Sequence, residues 1–304
     1  MNTCHYSGVV RFIESQLSSW KEVRDRFEHL HHLHYRQLLV NRANIKLQFN
    51  SLRVRSTMAK TDCASVESRP CFLCAGNRPA EQIFWEWNGY RVLVNPYPIL
   101  PKHLTLADSR HVPQSIAGRI ADMLAWTQWL NEPLPENEPG FFVFYNGAKC
   151  GASAPDHFHF QAVEAGHTPL EQHLAGRSTN AGAPLKTCET GFSGRLILLT
   201  GNRAETLCDA FADVYRQCRN ASEEEPMMNI FCRYANGVWQ MAVIPRRKHR
   251  PDCYFAAGDS GMLISPGALD MAGIVVIVRE SDFNRITSAD MEQVYGEVGF
   301  FSSR

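Results

Sequence analysis

The sequence predicts an α+β fold of antiparallel strands with helices beside them, and three observations carry that expectation. Apolar residues recur at three- and four-residue steps in several long stretches, the period of a helix with one buried face. Asn88-Gly89 and Asn236-Gly237 each stand between two apolar runs, the strongest short signal for a tight hairpin. The second half also rehearses the first, in the order strand, helix, strand, strand, as a degenerate internal repeat does.

Taken in order, residues 11–40 read as helix, with Phe12, Ile13, Leu17, Trp20, Val23, Phe27, Leu30 and Leu33 at helical steps. His29, His31, His32 and His34 lie in this stretch, but no cysteine or carboxylate stands at a usual ligand spacing, so no metal site is expected there. Residues 45–50 alternate like a strand, and residues 51–57 continue in that style. Arg53, Arg55 and Lys60 are then either a solvated strand edge or an anion-binding rim. Pro70 to Asn77 is a tight Cys-x-x-Cys turn, followed by the hairpin of residues 83–87 and 90–94 and an extended segment at 104–106. Residues 114–130 read as an amphipathic helix, ended by a proline-rich stretch at 132–139. Strands at 141–145 and 157–161 complete the first half. In the second, 195–199 is a strand, 204–218 a helix, and 228–234 and 238–244 a hairpin. Arg246, Arg247, Lys248 and His249 follow as a basic cluster, either a solvated turn or a set of phosphate contacts. Asp270 and Met271 sit after a Ser-Pro-Gly turn, the run 274–278 is apolar, and a short helix at 288–298 closes the chain.

A chain of 304 residues can bury a large core as one big domain or two smaller ones. Its formal net charge is zero, which gives no support to a general nucleic-acid or anionic-membrane surface. No apolar run is long enough to span a bilayer, and Met1 to Arg11 lacks the pattern of a secretory leader, so a cytoplasmic location is expected. The ten cysteines are scattered, and without export most are expected to be reduced and buried.

Two places carry chemistry-bearing residues. On a strand, successive side chains point to opposite faces, so His157, His159 and Gln161 share one face while Phe158 and Phe160 turn to a core. The loop before them, from Asn146 to Asp156, is rich in small residues and brings backbone amides where a phosphate can be met. The second place is Cys71-x-x-Cys74, for which a redox dithiol, a disulfide and half of a zinc site compete. The surroundings do not look like the strand-to-helix entry of a redox dithiol, and a disulfide is disfavoured without export. Zinc wants four soft or borderline ligands, and His111 and His157 are the candidates for the missing pair.

Three motifs occur here in one order: Cys71-Phe-Leu-Cys74-Ala-Gly-Asn77, then Ala107-Asp108-Ser109-Arg110-His111, then Asn146…Gly151-x-Ser153…His157-x-His159-x-Gln161. That order resembles the galactose-1-phosphate uridylyltransferase branch of the histidine-triad superfamily, over roughly half the chain. The resemblance implies two histidine-triad-like halves, with antiparallel sheets and flanking helices and a degenerate second half. Residues 1–60 would lead into the fold, 61–175 would form the catalytic half and 190–304 the second. It implies one structural zinc on Cys71, Cys74, His111 and His157. It makes His159 the nucleophile, with Gln161 and the loop residues Asn146, Gly147, Gly151 and Ser153 on the phosphates; Lys149 can offset developing negative charge there.

Departures from that branch sharpen the expectation. Phe158 stands where the uridylyltransferases have proline, Asp156 is an extra residue, and the second half lacks a second His-x-His pair. Phe158 instead resembles the phosphorylase branch, the nucleoside-diphosphate-hexose and diadenosine polyphosphate phosphorylases. Gln48-Phe49-Asn50-x-x-Arg53 also resembles a nucleotide-contacting pattern of the GDP-hexose enzymes, which adds Asn50 and Arg53 to the substrate-binding set. The implied activity is nucleotidyl transfer through a covalent nucleotidyl-histidine, splitting a nucleoside-diphosphate-hexose or a dinucleoside polyphosphate with phosphate. The alternatives are hexose-1-phosphate uridylyl exchange, with a sugar phosphate as partner, and a nucleotide-binding protein without turnover. Relatives either form homodimers or join their two halves within one chain. Specificity for base and sugar is expected in residues 47–60 and in second-half loops.

Overall fold

The computed structural model describes residues 5–59, 62–177, 185–219 and 225–301. Two helices, α1 (His5–Ser19) and α2 (Lys21–His29), lead into a hairpin of β1 (His34–Val40) and β2 (Ala43–Phe49). The expected helix thus stops at His29. Asn41 and Arg42, both at positive φ (46° and 68°), make a tight turn that returns β1 onto β2 and commits residues 34–40 to the ladder. This is the Asn-Gly type of turn without the glycine that announces it.

Residues 51–57 do not continue the strand. They form a short helical stretch ending in α3 (Val54–Thr57). The reason lies in the partner: β12 (Ile274–Ile277) runs parallel to β2 and its last residue pairs with Phe49, so no backbone remains to pair beyond Asn50. Lys60 lies outside the described residues.

After α4 (Cys63–Glu67) come β3 (Trp85–Trp87), β4 (Tyr90–Val94), β5 (Leu104–Asp108), α5 (Ile120–Asn131), β6 (Phe141–Asn146) and β7 (His159–Glu164). Helix α5 begins six residues later than the periodicity suggests, because Gly118 adopts φ +73° and Gln114 is drawn into the candidate site described below. Then follow α6 (Pro169–Ala175), β8 (Lys186–Gly191), β9 (Gly194–Gly201), α7 (Ala204–Cys218), β10 (Met228–Ala235) and β11 (Val238–Pro245). The chain closes with α8 (Ala268–Met271), β12, α9 (Glu280–Arg285) and α10 (Ser288–Val298).

Nine strands form one antiparallel sheet in the order β3-β4-β5-β7-β6-β10-β11-β9-β8. The order is symmetric about the β6–β10 seam: β4-β5-β7-β6 on one side mirrors β8-β9-β11-β10 on the other, with α5 and α7 as equivalent crossovers. The expected mixed α+β architecture, antiparallel sheets with flanking helices, is therefore what the chain adopts.

Alternation along β6 and β7 divides the core in two. Phe141, Val143, Tyr145, Phe158 and Phe160 pack with α1, α2, α5 and α7 on one face. Phe142, Phe144 and Val163 pack on the other against the β1-β2-β12 sheet and the C-terminal helices. His159 and Gln161 belong to this second face, so the layer above them is built from the two ends of the chain. Among the described residues no helix is long and apolar enough to cross a membrane.

Candidate active site and metal centre

The strand that carries the histidines is held from both sides before it begins. Phe158 N–H donates to Val112 O (2.7 Å), and its carbonyl accepts from Asp108 N–H (2.9 Å). At the next residue one carboxamide grips both backbone groups: His159 N–H donates to Gln114 Oε1 (2.8 Å), and Gln114 Nε2 donates to His159 O (3.0 Å). Gln114 Nε2 also reaches Asn146 O (2.9 Å), which ties β7 to the end of β6.

The side chain of His159 is 3% exposed, and its Nδ1 lies 2.8 Å from His157 O. A carbonyl only accepts, so Nδ1 carries the proton and Nε2 keeps its lone pair. Burial pushes the imidazole down to about 4, which keeps it neutral near pH 7. His159 and Gln161 both line a cavity of about 620 Å³ whose wall also takes in residues of the segments 53–59, 69–79 and 265–270 and Val276 of β12.

His157 is wired differently. Its Nε2 donates to Asp108 O (2.8 Å), which leaves Nδ1 facing Cys71 Sγ (3.4 Å) and Cys74 Sγ (3.6 Å). His111 Nδ1 lies 3.2 Å from Cys74 Sγ, and one donor atom from each of the four residues falls within 4.8 Å of the others. Tetrahedral zinc, with bonds of about 2.0–2.3 Å to nitrogen and sulfur, needs donors separated by roughly 3.3–3.8 Å. Donor chemistry and spacing both fit a metal ion. Among the described residues no other group of three or more histidines, cysteines and carboxylates is so arranged, the His29–His34 cluster included.

The other sequence-derived residues divide. Asn146, Gly151, Ser153 and Arg53 line the cavity. Asn146 Oδ1 accepts from Ala268 N–H (2.7 Å) and Asn229 Nδ2 (3.1 Å), fixing the loop against the start of α8. Gly151 has φ +100°, and a Cβ there would sit 2.6 Å from Gly267 Cα, so only glycine allows this approach. Gly147, Lys149 and Asn50 are not in the wall. Gly147 turns toward β10, donating to Met228 O (3.1 Å), and Lys149 is exposed at the loop's outer side. Asn50 is 2% exposed and packs beside Gln48, because the chain curls into α3 immediately after it.

Of the basic cluster, only His249 reaches the cavity, with Arg250 beside it. Arg246 is buried and spends its guanidinium on Asn229 Oδ1 and the carbonyls of Pro266, Val298, Lys248 and His249. Arg247 stacks over Phe300, and Lys248 pairs with Asp252 and Glu297. Met271 is core, whereas Asp270 lines the cavity, accepting from Gly267 N–H and Val276 N–H (both 2.9 Å). Burial raises its carboxyl to about 6, against the pull of Arg53.

Three contributors went unread in the sequence. Gln114 sat in an apparent helix, and Arg69, which donates to Ser153 O (2.6 Å), precedes the Cys-x-x-Cys turn without a pattern of its own. His103 is the third: its Nε2 lies 2.8 Å from Gln161 Oε1. The signal for it was alternation with Thr105, which puts both on the His159 face of the sheet. Among the described residues the charged lining of the cavity is Arg26, Arg53, Arg55, Arg69 and Arg250 with Glu22, which pairs with Arg26, and Asp270, an excess of positive charge suited to an anion.

Residues 12–164 match the model of a family described as a domain of unknown function, DUF4922. Among solved structures, yeast Ap4A phosphorylase Apa2 in complex with AMP aligns with a TM-score of 0.62 at 15% identity, over 95% of this chain and 97% of that one. The same yeast enzyme in complex with Ap4A gives a TM-score of 0.61 at 14% identity, over 93% and 98% of the two chains. At such identity the likeness is one of fold, and it is the histidine-triad-like fold that the motif order implies. A search of curated proteins gave no match.

Proposed function

We propose that this chain, which belongs to the DUF4922 family, is a nucleotidyl-transferring phosphorylase that works through a covalent bond to His159 Nε2. The observation that carries the reading is the fixed tautomer of His159: its Nδ1–H is committed to His157 O, so a buried, neutral Nε2 lone pair faces a cation-rich cavity. An imidazole in that state is a nucleophile without needing a base. The size of the cavity and the nucleotide complexes of the yeast enzyme with the same fold support a nucleotide as its occupant.

In the first step Nε2 attacks the α-phosphorus. An N–P bond forms, the P–O bond to the remaining phosphate chain breaks, and the leaving group departs as a sugar phosphate or nucleoside polyphosphate. The Nδ1–H bond to His157 O stabilises the positive charge that the ring gains. In the second step an oxygen of inorganic phosphate attacks the same phosphorus, the N–P bond breaks, and a nucleoside diphosphate leaves. Gln161 and the backbone of the Gly151–Ser153 loop donate to phosphoryl oxygens, and the cavity arginines balance the charge. Cys71, Cys74, His111 and His157 would hold a structural zinc ion, anchoring the segment that aims His159.

A substrate panel tests the reading. GDP-, ADP- and UDP-glucose and diadenosine tetraphosphate are each incubated with the protein, with and without phosphate. The expected result is release of a nucleoside diphosphate only when phosphate is present, with parallel-line (ping-pong) kinetics for at least one donor. A nucleoside monophosphate formed without phosphate would point to hydrolysis, and formation of a new UDP-hexose when a second hexose 1-phosphate is added in place of phosphate would point to uridylyl exchange.

A further inference from the structure

We propose that His103 is a positioning residue that decides which end of the Gln161 carboxamide faces the reacting phosphate. The inference rests on the nucleotidyl-transfer reading above, but its geometry stands apart from it. Ile99 N–H lies 3.1 Å from His103 Nδ1. A backbone N–H only donates, so Nδ1 accepts and a neutral ring must carry its proton on Nε2. That proton meets Gln161 Oε1 at 2.8 Å. With its carbonyl end engaged, Gln161 turns its NH2 to the cavity it lines. The flipped amide would set NH2 against an N–H, two donors face to face, and present a carbonyl oxygen to an anion.

The surroundings leave the ring no other arrangement. Asn95 Nδ2 is 3.4 Å from His103 Nε2, but its own amide is fixed: Oδ1 accepts from Tyr97 N–H (2.9 Å), and Nδ2 donates to Thr105 Oγ1 (3.2 Å). It therefore offers Nε2–H no acceptor. His103 is 1% exposed, and burial with the nearby Arg53 charge pushes it down to about 3, so the ring stays neutral. A neutral glutamine donor is thus held in one orientation by a neutral histidine, with no charge added beside the phosphate.

Two substitutions separate this role from plain packing. His103→Gln keeps an N–H donor at the reach of Nε2 and loses the acceptor for Ile99 N–H. His103→Asn keeps that acceptor and loses the donor. The readout is single-turnover and steady-state kinetics with whichever panel nucleotide the wild type turns over. His103→Gln is expected to keep kcat within about fivefold of wild type. His103→Asn is expected to lose about 30-fold or more in kcat with KM changed less than about threefold, a share of the 10²–10³ that one oxyanion donor supplies. If the histidine only tethers Ile99, the order of the two variants reverses, and the proposal is overturned.

A second measurement needs no substrate. Nitrogen-15 spectra of the full chain at neutral pH should show the His103 ring as the Nε2–H tautomer; an Nδ1–H tautomer or a cationic ring overturns the assignment. Failure of every panel nucleotide with the wild type would remove the transfer reading and the reacting phosphate with it. Failure of the variant order or of the tautomer alone would remove only the role of His103.

Discussion

Replacing His159 with asparagine is expected to lower turnover on the order of 10⁴-fold or more while the protein keeps its fold. Asparagine retains a side-chain N–H that can reach His157 O, and both backbone bonds to Gln114 remain. What disappears is the Nε2 lone pair. The melting temperature should stay within a few degrees of wild type, and nucleotide affinity within a few-fold, since Arg53, Asn146 and Ser153 still line the cavity. Calorimetry, equilibrium binding and the turnover assay together check this. Residual turnover within tenfold of wild type would show that another group attacks the phosphorus.

The opposite pattern is expected for Cys71→Ser. The hydroxyl is a poorer ligand than a thiolate, and the knuckle loses one of its two soft donors. Losing even an outer-shell partner typically costs ~10–100-fold in metal affinity. Loss of a direct ligand should exceed that and leave the purified protein with little zinc. Metal binding to a folded site is folding free energy, so stability should fall by about 3 kcal/mol or more. At roughly 2 °C per kcal/mol for a chain of this size, the melting temperature drops by ~6 °C or more. Elemental analysis with thermal unfolding reads both effects. A wild-type protein purified without chelator and free of zinc would end this part of the account. On this proposal the two neighbouring histidines have separable jobs: substitutions around His157 are expected to cost the fold, and those at His159 the chemistry.

Much of this was legible in the sequence because it depends on local periodicity. A period of two is enough to put Phe158 and Phe160 into one core and His159 and Gln161 on the other face, as found, whereas His157 lies just before the strand and faces the cysteines instead. The Asn88-Gly89 and Asn236-Gly237 turns likewise define their hairpins within a few residues. Other parts differ from expectation because a distant partner decides. Residues 51–57 look extended until β12, more than two hundred residues later, runs out of backbone to pair with. Gln114 acts on the site through a side chain 45 residues away from its partner in sequence, which no local pattern announces; alternation with Thr105 places His103 on the right face, but its partner Gln161 lies 58 residues further on. Lys149 has the chemistry and the loop of a phosphate contact, but it is exposed and does not line the cavity. Charge type is readable from sequence; the direction a loop residue faces is not.

The central claim is a covalent bond between a nucleotide and His159, and peptide-level mass spectrometry of a trapped intermediate tests it most directly. Wild-type protein is mixed with each panel nucleotide in the absence of phosphate, quenched in base, where a phosphoramidate survives, and digested. The account predicts a nucleoside monophosphate adduct on the peptide containing His159, lost when phosphate is restored and absent from His159→Asn. An adduct on a different residue, or turnover by a protein that never carries one, would contradict it.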